Sequence, residues 1–228
     1  MKTIDYKNIK ALLLDLDGTL INSEKAFYNS FKKVLLDYYN INISNEDYKK
    51  YELEQNAKLL ETLRIKGLLT ENDDKMIMNY IYEDYENEFK KIILEDEAID
   101  NFRLLKELKK LKLKIALVTT CRRYYLNILI NTLNLNELFD IIVAREDVTN
   151  LKPSPEAYLK SIEFLDIDKE CCLAFEDSKR GIDAAVSSGL TTIQVNNFTT
   201  LKYIDERTIN FNSANEILNK ILINKQRN

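Results

Sequence analysis

The stretch Ala11-Leu12-Leu13-Leu14-Asp15-Leu16-Asp17-Gly18-Thr19-Leu20 decides how the rest of this 228-residue chain is read. Its apolar run, Ala11 to Leu14, has the pattern of a strand covered on both faces, and such strands deliver ligand-binding groups at their carboxyl ends in open α/β sheets. Two carboxylates, a glycine and a hydroxyl follow at once. Strand residues alternate faces, so Asp15 and Asp17 point to one side if the extended conformation persists. Gly18 then lets the chain turn away without a side chain in the opening. Ten residues alone fit an ordinary strand and Asp-Gly turn equally well; the remainder of the chain separates the two readings.

Beyond Asp96, helical patterns alternate with short apolar runs. The expected elements are a helix over Asn101–Leu111, a strand over Lys114–Val118, a helix over Tyr124–Leu133 and a strand over Ile141–Val143. A helix over Pro155–Leu165, a strand over Cys171–Phe175, a helix over Gly181–Ser188 and a strand over Thr192–Val195 follow. Ser213 with Glu216 opens a last helix to about Leu222. Alternation of this kind implies right-handed βαβ units and a doubly wound, Rossmann-like parallel sheet. Between Glu24 and Ile93 no strand pattern intervenes. Phe27, Phe31, Val34, Leu35 and Tyr38 recur at helical spacing, and Ser44 with Asp47 and Thr70 with Asp73 resemble capping boxes. That stretch is read as an inserted all-helical domain of three or four helices, in which Tyr80, Tyr82, Tyr85 and Phe89 fill a helical core, with the lining of a ligand cavity as the alternative. The expected domains are 1–20 with 95–228, and 21–94.

Composition narrows the function. A hydrophobic content of 45% with 31% charged residues suits a globular protein, and 33 basic against 37 acidic residues leave neither a nucleic-acid footprint nor a membrane-binding basic patch. The first residues lack a signal-peptide pattern, and no run approaches the ~18 apolar residues of a membrane span; a cytoplasmic protein is expected. Cys121, Cys171 and Cys172 make neither an even disulfide framework nor a C-x-x-C pair, so reduced thiols are expected, with Cys171 and Cys172 in the core. Histidine is absent, which removes His-dependent triads and imidazole metal ligands and leaves acid/base work to carboxylates, Lys, Tyr or Cys. Only four glycines and two prolines occur, where average usage gives roughly 16 and 11. Gly18, Gly181, Gly189, Pro153 and Pro155 all lie near candidate site residues, as expected if backbone geometry requires them there.

Polar features follow four of the expected strands: Asp15 and Asp17, then Thr119 and Thr120, then Lys152, then Glu176 and Asp177. In a parallel sheet those loops open on one edge, so residues far apart in sequence converge. Four carboxylates repel one another unless a cation compensates, and oxygen-rich sites suit Mg²⁺, which in turn implies a phosphorylated substrate.

With these four motifs in order, the chain resembles the haloacid dehalogenase superfamily, in particular its Mg²⁺-dependent phosphatase and phosphomutase branch with a helical cap after the first motif, which includes phosphoglycolate phosphatase-like and β-phosphoglucomutase-like members. The motifs are Asp15-Leu16-Asp17-Gly18-Thr19, Thr119 after Ala116-Leu117-Val118, Lys152 in Leu151-Lys152-Pro153-Ser154-Pro155-Glu156, and Phe175-Glu176-Asp177-Ser178. The resemblance spans Leu12 to about Val195. It implies a phosphoric monoester hydrolase in which Asp15 is the nucleophile, forming an aspartyl-phosphate, and Asp17 the general acid and base. It further implies that Thr119, Thr120 and Lys152 bind the phosphoryl group. Metal ligation falls to Asp15, the Asp17 carbonyl and Asp177, with Glu176 direct or through water.

Asp17 separates this chain from the dehalogenases themselves, which lack an aspartate there. Asn22, Thr120 and Phe27 depart from residues common in relatives, and without histidine the mutase reading weakens. The expected reaction is hydrolysis of a small phosphorylated metabolite. A sugar phosphomutase, an inorganic pyrophosphatase and a noncatalytic phospho-ligand-binding module are the alternatives. Arg64, Lys66 and Gly67 are read as an ordinary interhelical turn, with contact to substrate as the alternative. Monomer and homodimer are not distinguished by the sequence.

Overall fold

A computed structural model describes residues 4–44, 56–198 and 204–227. The chain divides into two compact units, Met1–Asn22 with Ile93–Asn228, and Ser23–Ile92.

The larger unit is built on β1 (Ala11–Leu14), β2 (Lys114–Val118), β3 (Ile141–Val143), β4 (Cys172–Glu176), β5 (Thr191–Val195) and β6 (Ile209–Phe211). Every pairing is parallel, in the order β3-β2-β1-β4-β5-β6. The order reverses beside β1, so loops leaving β1 and β4 flank the crevice where doubly wound sheets bind ligands. Register aligns Leu14 with Leu117 on one side and with Phe175 on the other, which brings the residues after Leu14 level with the ends of β2 and β4. Alternation places Ala11 and Leu13 with Ala116, Val118, Cys172 and Ala174 in one core cluster, completed by Ala157 and Tyr158 of α6 (Glu156–Leu165) and Ala184 and Ala185 of α7 (Lys179–Ser187).

Among the described residues the α-helices in chain order are α1 (Ser23–Tyr39), α2 (Asn56–Ile65), α3 (Asp73–Ile92), α4 (Asp96–Lys110), α5 (Arg123–Leu133), α6, α7 and α8 (Ala214–Gln226). In the larger unit α4 and α8 pack on each other, and both bury apolar residues such as Phe102, Leu105, Ile217 and Ile221. In the smaller unit α1 packs along α3, with Phe31, Val34, Leu35, Ile77 and Ile81 joined by Leu59, Leu60 and Leu63 of α2 in one cluster.

Several expectations are corrected. The helix expected to open at Asn101 begins at Asp96: Asp96 and Glu97 supply negative charge to its first turn, and Asn101 lies inside it, donating to the Leu20 carbonyl at 3.0 Å. The fourth strand runs Cys172–Glu176 rather than Cys171–Phe175, which puts Glu176 inside the sheet. The helix expected from Gly181 starts at Lys179, because Ser178 caps it by accepting from Gly181 N–H. The last helix extends to Gln226, with Ser213 accepting from Glu216 N–H. The β6 strand was not anticipated; three residues at the sheet edge are too few to show a period. Tyr82 is exposed rather than part of the helical core, whereas Phe89 is buried. At Thr70 only half a capping box forms, with Asp73 accepting from Thr70 N–H and hydroxyl. The Ser44–Asp47 box involves Asp47, which lies outside the described residues. Arg64 pairs with Asp74 within its own unit, as an interhelical turn would have it.

Candidate active site

The site begins where β1 stops. Asp15 N–H donates to the Phe175 carbonyl at 3.0 Å, extending the β1–β4 ladder by one residue and setting the Asp15 side chain at the carboxyl edge of the sheet. The chain then curls: Leu20 N–H donates to Leu16 at 2.9 Å and Gly18 N–H to Ile21 at 2.9 Å. Gly18 has φ +80°, and a Cβ there would lie 2.1 Å from Asp177 Oδ2. The missing side chain therefore lets the carboxylate after β4 lie against the loop after β1.

Lys152 organises the floor. Its ammonium carries three hydrogens, and three acceptors surround it: Asp15 Oδ1 at 2.6 Å, Glu176 Oε1 at 2.6 Å and the Val118 carbonyl at 2.8 Å. The lysine ties β1, β2 and β4 together, with no ammonium hydrogen left over. Its loop is fixed from outside: Arg180 donates through Nε and Nη2 to the Lys152 carbonyl at 3.1 and 2.5 Å, and Glu156 accepts from Thr149 and Asn150 N–H at 2.9 and 2.8 Å. The buried Tyr158 hydroxyl donates to the same Glu176 oxygen at 2.7 Å, and its ring centroid lies 5.3 Å from the ammonium. The other Glu176 oxygen, Oε2, is buried without a hydrogen-bond partner and occupies the space a Cβ on Gly181 would need, 1.8 Å away.

Charge follows from this crowding. Burial pushes the Glu176 carboxyl up to about 7, with the Lys152 ammonium opposing. Burial, then the negative charge of Asp15 and Glu176, holds Asp177 well above the usual carboxylate range. For Lys152 burial disfavours the charge, but Asp15 and Glu176 outweigh it and the group is an ammonium, its pKa raised. Burial and the neighbouring carboxylates keep Tyr158 a phenol and Cys121 a thiol, so neither is an anionic nucleophile here.

Whether the residues fit a metal turns on donor chemistry. Asp15, Glu176 and Asp177 each offer a carboxylate oxygen, and these oxygens lie within 4.8 Å of one another. With an unpartnered buried oxygen on Glu176, the set fits a hard, oxygen-seeking dication such as Mg²⁺.

Five residues expected from the sequence, Asp15, Asp17, Thr120, Lys152 and Asp177, line one cavity of about 200 Å³. Thr119 stands behind it: its Oγ1 accepts from Cys121 N–H at 3.0 Å and faces Asp17 Oδ2 at 3.4 Å. Glu176 lies fully buried beneath. The sequence reading missed Arg145 and Arg180, which also line the cavity, and Tyr158; Ser178, quoted in the fourth motif without a role, lines it too. Tyr158 carried a faint signal, since a hydroxyl on an otherwise apolar helix face needs a buried partner. Nothing in the local pattern marks Arg145 or Arg180.

A doubly wound sheet carrying a lysine-bridged carboxylate pair at its switch point, beside a small cavity lined by charges of both signs, defines a phosphatase or phosphomutase type of hydrolase. Residues 12–195 match the haloacid dehalogenase-like hydrolases, and the chain belongs to that family. A phosphorylated carbohydrates phosphatase of Thermotoga maritima is 30% identical over 188 residues, covering 81% of this chain and 84% of that protein. Pyrophosphatase PpaX of Bacillus mycoides is 28% identical over 191 residues, covering 82% and 83%. Among solved structures, a subfamily IA hydrolase of the same superfamily from Geobacter sulfurreducens has a TM-score of 0.73 at 19% identity, covering 97% of this chain and 100% of that one; at that identity the likeness speaks for the fold. Among the described residues no helix is long and apolar enough to cross a membrane.

Proposed function

We propose that this protein hydrolyses the phosphate monoester of a small metabolite through a phosphorylated Asp15, with Mg²⁺ held by Asp15, the Asp17 carbonyl, Asp177 and Glu176. The observation that carries the reading is the buried Lys152 bridge between Asp15 and Glu176, which fixes the Asp15 carboxyl group on the cavity floor. Asp15 attacks phosphorus, the bond to the ester oxygen breaks, and Asp17 delivers a proton to the departing oxygen. Asp17 then takes a proton from water as that water attacks phosphorus, releasing phosphate and free Asp15. A cation bound there would supply charge neutralisation for the phosphoryl oxygens. Thr119 and Thr120 offer hydroxyls and backbone to the phosphoryl group. Lys152, its hydrogens already engaged, acts through its charge and by orienting Asp15.

The helical unit at Ser23–Ile92 follows the first motif directly in the chain, which supports its role as a cap that limits water access and selects substrate. Three free cysteines are consistent with a reducing cytoplasmic setting. The PpaX likeness keeps pyrophosphate among the candidate substrates.

The test is phosphate release from sugar phosphates, phosphoglycolate, nucleoside monophosphates and pyrophosphate, with Mg²⁺ or with excess chelator. Release that requires Mg²⁺ and falls at least about 10³-fold in Asp15→Asn is expected, since removing a covalent nucleophile removes the pathway. Undiminished turnover by Asp15→Asn overturns the mechanism; a requirement for a sugar bisphosphate with no net phosphate release would make the protein a mutase.

A further inference from the structure

Three cations line the cavity, and two are committed to the protein itself. Lys152 is saturated by Asp15, Glu176 and Val118, and Arg180 spans the Lys152 carbonyl. The third, Arg145, lines the same wall, and its guanidinium makes no hydrogen bond or ion pair with any described residue.

Its backbone, in contrast, is fixed. Arg145 N–H donates to the Cys121 carbonyl at 3.2 Å, and the preceding Ala144 is fully buried, its N–H donating to Asp147 Oδ2 at 2.7 Å. The acidic neighbours on the same turn are engaged elsewhere: Glu146 accepts from Arg123 N–H and Asp147 from the Arg123 guanidinium. A rigid turn therefore presents an unengaged, forked cation to the cavity.

Position decides what it meets. Arg145 follows β3, two strands from β1 in the sheet order, so its Cα lies about 10 Å to the side of Asp15 at the usual strand spacing. Asp15 is almost wholly buried on the floor, whereas Arg145 is exposed at the rim. The reacting phosphoryl group must reach Asp15. A guanidinium at the rim meets a group several bonds from the phosphorus. A free guanidinium fork matches two-oxygen anions, carboxylate or phosphate.

Resting on the phosphatase reading, we infer that Arg145 is a specificity-determining residue and that the substrate is a small phosphate compound with a second anionic group, carboxylate or phosphate, bound by Arg145. A cavity of about 200 Å³ restricts that substrate to a small metabolite.

The test compares kcat/KM for two sets at buffered free Mg²⁺. Phosphoglycolate (carboxylate) and pyrophosphate and glucose 1,6-bisphosphate (second phosphate) carry a second anion; ethyl phosphate and glycerol 1-phosphate do not. The parent is expected to favour the first set, and Arg145→Gln to shrink that preference by about 10- to 100-fold, the range for a charge-assisted hydrogen bond. Arg145→Lys, which keeps the charge and loses the fork, should fall between. Which member of the first set suffers most tells carboxylate from phosphate. No preference in the parent, or an equal loss on both sets in Arg145→Gln, overturns the inference, the latter because it would place the guanidinium on the reacting phosphoryl group. If the parent turns over none of the compounds, the phosphatase reading fails separately. Calorimetric binding of the same compounds then decides about Arg145: tighter binding of the first set that Arg145→Gln abolishes supports it, and equal binding refutes it.

Discussion

At the residue scale the site depends on two places where a side chain is missing. Gly181 is helical, and host–guest preferences say that alanine there should stabilise α7 by about 1 kcal/mol. The opposite is expected, because the new Cβ would fall 1.8 Å from Glu176 Oε2. That oxygen is not free to swing aside, since its partner oxygen is held by Lys152 and Tyr158 in a fully buried setting. Gly181→Ala should lose about 1–3 kcal/mol, the usual cost of overpacking, in urea denaturation, and on the proposed metal site it should also weaken Mg²⁺ binding. A stabilised variant would show that Glu176 repacks easily. The Tyr158 hydroxyl helps fix which way the Glu176 carboxylate faces.

At the element scale β2 is pinned at its start by one carboxylate. Asp140 accepts from Ile115 N–H at 2.8 Å and from the ammonium groups of Lys109, at the end of α4, and Lys114. Burial resists ionisation of Asp140, but the Lys109, Ile115 and Lys114 hydrogen bonds outweigh it and hold its pKa below the ordinary 3.8. A carboxyl with a depressed folded pKa stabilises the fold above its unfolded value and ceases to do so as pH falls through the folded one. Asp140→Asn should therefore cost about 1–3 kcal/mol at pH 7, and the gap to the parent should close as pH drops below 3.8. Denaturant melts at pH 7 and pH 3 check this; a gap that persists at low pH would mean the packing of the side chain matters more than its charge.

At the scale of the whole molecule, folding gathers like charges from distant parts of the chain. Asp15, Glu176 and Asp177 come together around one lysine, and that assembly opposes stability until a cation arrives. The Asp177 carboxyl is raised by burial and by its two acidic neighbours, so its contribution has the opposite sign to that of Asp140: it is present at low pH and lost as pH rises through the folded value. Asp177→Asn should make the metal-free protein more stable than the parent by about 1–2 kcal/mol at pH 7. The same change should abolish most of the Mg²⁺-induced rise in Tm that linkage predicts for the parent. Calorimetric scans with chelator and with Mg²⁺ test both; a metal-free variant less stable than the parent would show that Asp177 is held by favourable contacts.

Much of this was legible before the fold was known. Alternating apolar runs gave the parallel sheet, because a strand covered on both faces has no polar side to write into the sequence. Asp15, Asp17 and Asp177 were visible as charges at the ends of such runs, and Lys152 as a charge in the loop that follows one. The strand boundary at Glu176, the short β6 and the partners of Lys152 were not visible, since each is set by hydrogen bonds to residues more than ten positions away. By itself, then, the sequence determined the layer architecture and which ionisable groups gather at one edge of the sheet, through local periodicity. Only the tertiary structure decided which cation is engaged by the protein and which is not, Lys152 saturated and the Arg145 guanidinium unengaged among the described residues, because a charge's partners are fixed by three-dimensional neighbours and not by its place in the chain.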